Sequence, residues 1–300
     1  MIETHSVLAA CSRGDRRSGV VALLLAPSLV TLVAFTYWPV AQVAWRSTVI
    51  QRFAAPARFG IGNYARLFLD PHFGLAARNN ALYALGTIVP SLVLAFGFAL
   101  ALREASAFTA VLRTLLVMPM LIPLVAAAAL FTFIFLPEAG LLDHALAKVG
   151  IGATNWLGDP DLALGAIVAI TIWKNTGYYM LFFLAGLAGV PQELIDAAKL
   201  DGARAIARVR HVVLPLLGPT LGFVLPIALL NALVQVDHVV TMTRGGPSDA
   251  TNLLVYYIYQ QAQENNDPGL AAAATVVTVA ALLALALVSL RSMERGIHYE

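Results

Sequence analysis

The chain has 300 residues, of which 59% are hydrophobic and only 12% charged, with a formal net charge of +2 and a mean hydropathy of +0.78. Soluble domains carry about twice that charge fraction, so most of this chain is built for a bilayer rather than for water. The small, scattered positive charge excludes a nucleic-acid footprint, and a single cysteine, Cys11, excludes an intrachain disulfide or a paired-cysteine metal site.

Arg13, Arg16 and Arg17 precede the first apolar run, near 20–44. A secretory signal begins the same way, but its apolar core is about 7–15 residues long. This longer run suits an uncleaved first span, although small residues between Val40 and Ala44 offer a peptidase something to accept. The stretch from Gly62-Asn63-Tyr64 to Leu67-Phe68 predicts an amphipathic helix on the outer surface. Further runs near 80–102, 113–136, 162–187, 216–238 and 269–290 are each long enough to cross about 30 Å of hydrocarbon as a helix. Residues 139–148 read as a second surface helix, and 251–263 as a third, after the turn Gly245-Gly246-Pro247. Pro90, Pro119, Pro123 and Pro226 predict kinks. The fold class is therefore an all-α membrane protein of six spans, in a single transmembrane domain over 1–300. Closed barrels need short alternating segments, and none is seen. There is no internal repeat, low-complexity tail or appended soluble domain.

An even number of spans puts both termini on one side, and basic residues choose the side. One face holds Arg13, Arg16, Arg17, Arg103, Arg113, Lys199, Arg204, Arg208, Arg210, Arg291 and Arg295. The other holds Arg46, Arg52, Arg58, Arg66, Arg78, Lys148 and Arg244, spread over longer loops. The denser face is expected to be cytoplasmic, with both termini and the polar loop 190–215.

That loop is the most informative segment. Pro191 suits the first turn of a helix, where a missing N–H costs nothing. Glu193 and Asp196 favour its positive end. Leu194, Ala197, Ala198 and Ala203 give a smooth face, and Gly202 can take backbone angles that other residues resist. Arg204, Arg208 and His211 follow at helical spacing, and Leu214-Pro215 is expected to end the segment and open span five. Such a bracket suits docking into a groove on a partner; the plainer reading is a solvated loop helix.

The spacing goes further. Asp196-Ala197-Ala198, three residues, Gly202, nine residues, then Val212-Val213-Leu214-Pro215 resembles the EAA loop of inner-membrane permease subunits of bacterial ABC importers. Asp for Glu and Val for Ile are mild departures. Pro191, Glu193, Leu194, Ala197, Ala198, Asp201, Gly202 and Ala203 fit the longer pattern of the carbohydrate-importing branch, whose members often carry aromatics where this chain has Ala205 and Val209. The outer Gly62-Asn63-Tyr64, Trp173 with Phe183-Leu184-Ala185-Gly186-Leu187, Thr243 with Gly245-Gly246-Pro247, and His298-Tyr299-Glu300 resemble the same branch in order. The resemblance implies the permease fold and half of a solute pathway for a sugar, oligosaccharide or polyol. It implies partners: a second permease, two ATPase subunits and a secreted solute-binding protein. It assigns ATPase coupling to Glu193, Asp196, Ala197, Ala198, Asp201, Gly202, Arg204, Leu214 and Pro215. The chain lacks a G-x-x-x-x-G-K-[ST] phosphate loop, so ATP and Mg are expected on the ATPase chains, with no cofactor, metal or catalytic residue in this one. The resemblance implies a location in the bacterial inner membrane.

Polar residues within spans tend to face a cavity or a partner helix. Lys174 is the only basic residue well inside a span, with Trp173 beside it and Tyr178 four residues on. Rings and donors there suit a sugar; snorkelling or pairing within the protein is the competing reading. Asn231, Gln235 and His238 are expected on one face of span five, either along the solute path or as interhelical glue. A lysine in the path would also suit an anionic polyol such as a glycerol phosphate or sulfonated sugar. An ion-coupled secondary transporter should show deep paired acids and an inverted repeat, and a membrane enzyme clustered His, Asp or Ser; neither pattern is present. A scaffold without transport leaves the loop's spacing unexplained.

Overall fold

The computed structural model describes residue 21 and residues 23–50 and 58–294, with side chains through residue 288. The readings that rest on Cys11, Arg13, Arg16, Arg17, Arg52, Arg295 and 298–300, and on the Arg291 side chain, fall outside that range.

Helices dominate. Span one is α1, Leu23–Ser47, with a π turn at Val33–Tyr37 just ahead of Pro39. A two-residue ribbon follows, β1 (Val49–Ile50) antiparallel to β2 (Arg58–Phe59), in the register Val49↔Phe59 and Ile50↔Arg58. The surface helix expected next is α2 (Gly62–Leu69). Its Asn63 donates to the carbonyls of Ser47 (3.0 Å) and Val49 (2.9 Å), which fastens α2 to the ribbon.

Span two is α3 (Pro71–Ala101), beginning nine residues before the expected 80. Its start is chemically marked: Asp70 accepts from the His72 N–H (2.9 Å) and Pro71 occupies the first turn. Hydropathy hides this start because Arg78, Asn79 and Asn80 follow. At about 1.5 Å per residue the helix is about 46 Å long, so its first turns stand outside the hydrocarbon.

Span three is not one helix. The expected 113–136 becomes α4 (Ala107–Leu121) and α5 (Leu124–Ile134), bent by 100° at the junction. Pro123 explains the break. It removes the N–H that would bond the Pro119 carbonyl, and it forces Ile122 into an extended conformation (φ −78, ψ 128). The opposite end of α4 is fixed by a reciprocal cap between Ser106 and Thr109.

Outside the membrane, α6 (Leu141–Ala147) fulfils the surface helix expected at 139–148. Buried Asp143 organises this loop, accepting from Trp156 Nε1 (2.7 Å) and the N–H groups of Glu138 (2.9 Å) and Thr154 (3.1 Å). The Trp156 hydrogen bond, then that from Glu138, hold its carboxyl below the usual carboxylate range.

Span four is α7 (Pro160–Ala188), capped by Asp159. It forms the centre of the molecule by packing along α3, where Ala95 and Ala99 are fully buried and let the helices approach. The bracket expected at 190–215 then comprises α8 (Gln192–Leu200) and α9 (Ala205–Arg208). Helix continues from α9 through a π turn at Val209–Val213 and through Leu214–Leu216. Leu214-Pro215 is therefore not a stop. The wider turn precedes Pro215 as the one in α1 precedes Pro39, where a regular helix would be crowded by the ring. The break falls at Leu217.

Span five is α10 (Gly218–Val234), then an interruption at Gln235-Val236, then α11 (Asp237–Met242). The segment expected at 251–263 is α12 (Leu254–Tyr259) with a π turn at Gln260–Glu264. Span six is α13 (Pro268–Glu294). It packs on α1, α2 and α10. The segment 245–267 is tied down on α2 and the start of α3. Arg66 pairs with Asp267 (2.6 Å), Tyr257 donates to Asp70 (2.6 Å), and Asn79 donates to the carbonyls of Asp249 (2.8 Å) and Asn252 (3.2 Å).

Candidate functional site

Two regions carry candidate functional residues. The first is the bracket. Pro191 precedes α8 in extended conformation, and Glu193 lies in the first turn. The helix ends in a Schellman turn: Gly202 N–H donates to the Lys199 carbonyl (3.0 Å) and Ala203 N–H to that of Ala198 (3.0 Å). Gly202 has φ +76, the conformation this motif requires, and open space around its α-carbon. Arg208 then donates to the Ala203 carbonyl (2.6 Å), locking the elbow from its second arm. Asp196 accepts from Lys199 (2.6 Å) and Gln192 (3.1 Å), and these two bonds, Lys199 first, hold its carboxyl below the usual range.

The bracket is anchored from beneath and bare on top. Ile195, Val213 and Leu217 belong to the same buried core as Met180 and Phe183 of α7. A Cβ on Gly186 would strike the Leu217 and Thr220 side chains, so the two membrane helices meet where the bracket leaves and rejoins them. Leu200 (90% exposed) and Ile206 (82%) face away on either side of the Gly202 turn, with Leu194 half exposed. Sequence reading missed this division. Ile195, Leu200 and Ile206 are all apolar, and only the packing separates the anchor from the exposed pair.

The second region lies between α3, α7 and the two halves of span five. Tyr83 shares a hydrogen bond with Thr171 (2.9 Å), and its ring stacks on His238 (5.5 Å, 29°). His238 is wholly buried, and neither ring nitrogen has a partner; the Gln235 Oε1 is likewise buried and unpartnered. Asn231 donates to the Tyr179 hydroxyl (3.1 Å). Tyr178, Phe182 and Phe223 form a row of rings at 5.0 and 5.5 Å. Trp173 packs on Phe131 (5.0 Å).

Asn231, Gln235 and His238 do not share one helical face. The helix stops at Val234 and Gln235 is extended (ψ 120), so Asn231 reaches α7 while His238 reaches α3. Lys174 and Tyr178 also part company. The Lys174 ammonium turns to the carbonyls of Pro119 (3.3 Å), Met120 (3.2 Å) and Ile122 in span three, whereas Tyr178 joins the row of rings. Among the described residues no three His, Cys, Asp or Glu side chains gather as metal ligands would.

A family model described as binding-protein-dependent transport system inner membrane component matches residues 81–298. The sn-glycerol-3-phosphate transport system permease protein UgpA of Agrobacterium fabrum is 32% identical over 282 residues, covering 92% of this chain and 95% of that one. Its counterpart in Yersinia pestis is 33% identical over 287 residues, with 93% and 95% covered. Among solved structures, a bacterial ABC transporter that imports the acidic polysaccharide alginate matches with TM-score 0.83 at 20% identity, covering 95% of this chain and 99% of that chain. The same kind of transporter, in complex with a periplasmic protein bound to an alginate pentasaccharide, matches with TM-score 0.81. The broken spans and the hinged bracket are therefore parts of an importer fold, and the chain belongs to the inner-membrane components of binding-protein-dependent transport systems.

Proposed function

We propose that this permease subunit of an ABC importer forms one half of a pathway for a small polyhydroxylated solute, a sugar or polyol. A second, different permease completes the pathway, because six helices are few for a sealed one. Two separate ATPase chains hold ATP and Mg, and this chain hydrolyses nothing itself. The bracket takes the ATPase's motion through Glu193, Asp196, Ala197, Ala198, Asp201, Gly202 and Arg204. The segment from Leu214 and Pro215 passes it into span five. A solute-binding protein delivers from the outer face, and both termini are cytoplasmic. Trp173, Tyr178, Asn231, Gln235 and His238 are the candidate solute contacts.

The observation that carries this reading is the bracket's construction. A helix closed by a Schellman turn at Gly202 is held to spans four and five by Ile195, Val213 and Leu217, while Leu200 and Ile206 remain uncovered. Two exposed apolar side chains on a rigid elbow suit a groove in a partner. Single cysteines at 193 and 196 should crosslink to the ATPase and to no outer protein; crosslinking to the binding protein instead would reverse the orientation.

A phosphorylated polyol is the specific solute to try first, because the relatives covered nearly end to end are named for sn-glycerol 3-phosphate. Vesicles holding the full complex should accumulate that compound with ATP. Uptake of neutral disaccharides alone would return the assignment to neutral sugars.

A further inference from the structure

Lys174 is 93% buried midway along α7, and its charge has no carboxylate partner among the described residues. A buried charge must be neutralised or solvated by dipoles. Here three backbone carbonyls supply them, from Pro119, Met120 and Ile122. These lie at the C-terminal end of α4, where the last carbonyls of a helix have no partner and the helix dipole is negative. Pro123 has no N–H to give the Pro119 carbonyl, which keeps only a 3.3 Å bond from the Ile122 N–H, so the lysine supplies donors that the proline and the bend removed.

One turn further along α7, Gly177 lies directly against the backbone of α4. A Cβ there would overlap the Leu116 carbonyl and sit 3.0 Å from the Val117 α-carbon. Lys174 and Gly177 thus hold α7 to α4 at two consecutive points, one by charge and one by the absence of a side chain. Beyond the break, α5 packs against α11. Met242 of α11 rests on Ala127, Ala128 and Ile170, and α11 carries His238. Towards the cytoplasm, α7 continues into the bracket.

We propose that Lys174 and Gly177 form a two-point clamp that fixes the break in span three to span four, so that motion entering at the bracket reorients α5 and α11 as one unit. Lys174 is then a positioning residue that touches no solute. This rests on the reading of the chain as an ATPase-coupled permease. It also removes the one buried Lys or Arg among the described residues from solute recognition: the charge of an anionic cargo is read elsewhere, on the partner permease or the binding protein.

The test uses the complete complex in proteoliposomes, with its binding protein, and two probes, sn-glycerol 3-phosphate and maltose. Wild-type vesicles come first. If they show no ATP-dependent uptake of either probe, the permease reading fails and the clamp's role fails with it. With active wild-type vesicles, Lys174→Met should lower maximal uptake about tenfold or more while ATP hydrolysis continues. The half-saturating concentration of binding protein and the ratio of the two probes should not change. Lys174→Arg, which keeps the charge, should restore most of the rate. Gly177→Ala keeps every charge yet should reproduce the uncoupling, and it decides the matter if Lys174→Met fails to assemble. A normal rate in Gly177→Ala overturns the clamp. So does a Lys174→Met complex that keeps its maximal rate and shifts the probe ratio, because the lysine would then face the solute.

Discussion

The bracket and the membrane interior solve opposite problems. In the bracket most of the polar bonds are local: Asp196 with Lys199, Gly202 with Lys199, Arg208 with Ala203. In the interior the partners are distant in sequence: Tyr83 with Thr171, Asn231 with Tyr179, Lys174 with the end of α4. Water can replace a lost partner in the bracket and cannot in the interior. The bracket can therefore be exposed and still hold its shape, whereas the interior holds its shape only while its helices stay packed. Interior changes should disturb assembly, and bracket changes should disturb coupling.

The sharpest break in that division is Ile195, the residue of α8 that enters the interior core. Ile195→Asp buries a charge without a partner, and the complex should be lost altogether, read by copurification of the ATPase with the permease; Ile195→Ala should cost about 2–5 kcal/mol by the same route. Gly202→Val comes next. Nothing crowds the site, so the penalty is the left-handed backbone alone, about 1–2 kcal/mol and more for a β-branched side chain. The complex should assemble, with uptake per ATP hydrolysed reduced; normal uptake would show that the turn is not needed. Tyr83→Phe removes one buried hydrogen bond, and since Thr171 also donates to the Ile167 carbonyl (3.0 Å), the loss should be about 1 kcal/mol, seen as a small fall in thermal midpoint. The smallest effect belongs to pH at Asp196. Its carboxyl is lowered in the folded chain, so the contribution of its bonds is complete above the unfolded carboxylate value and fades only as pH falls through the lower folded one. Uptake should be flat from neutrality down to the ordinary carboxylate range, and Asp196→Asn should leave the thermal midpoint unchanged. A loss of coupling in that variant would place the carboxylate on the ATPase.

The same contrast explains what the sequence disclosed. The first arm of the bracket and its turn were legible because their structure is local: a proline before the helix, a glycine after it, and fixed spacing between them, whereas the stop expected at Leu214-Pro215 was not borne out. Six apolar runs gave the spans, since length and hydropathy are all that crossing a bilayer demands. Direction within the bilayer was not legible. Pro119 and Pro123 announced a kink in span three, but nothing local states that it reaches 100° or that a lysine fifty residues on will cap it. The interruption at Gln235-Val236 carries neither proline nor glycine, so three polar residues at helical spacing were read as one face. Span two was entered late because polar residues that serve the outer loop look, in a hydropathy profile, like a loop themselves.

One contact joins the two regions by a shorter route than the clamp. Arg103, just beyond the C-terminal end of α3, donates to the Gln192 side chain at the head of the bracket (3.1 Å), and Asn79 and Asn80 near the other end of α3 hold segment 249–254. A single unbroken rod thus touches the elbow at one end and segment 249–254 at the other. On the proposed reading, a binding protein engaging segment 249–254 and an ATPase engaging the elbow would work the same lever, and linkage would make each sensitive to the other in equal measure.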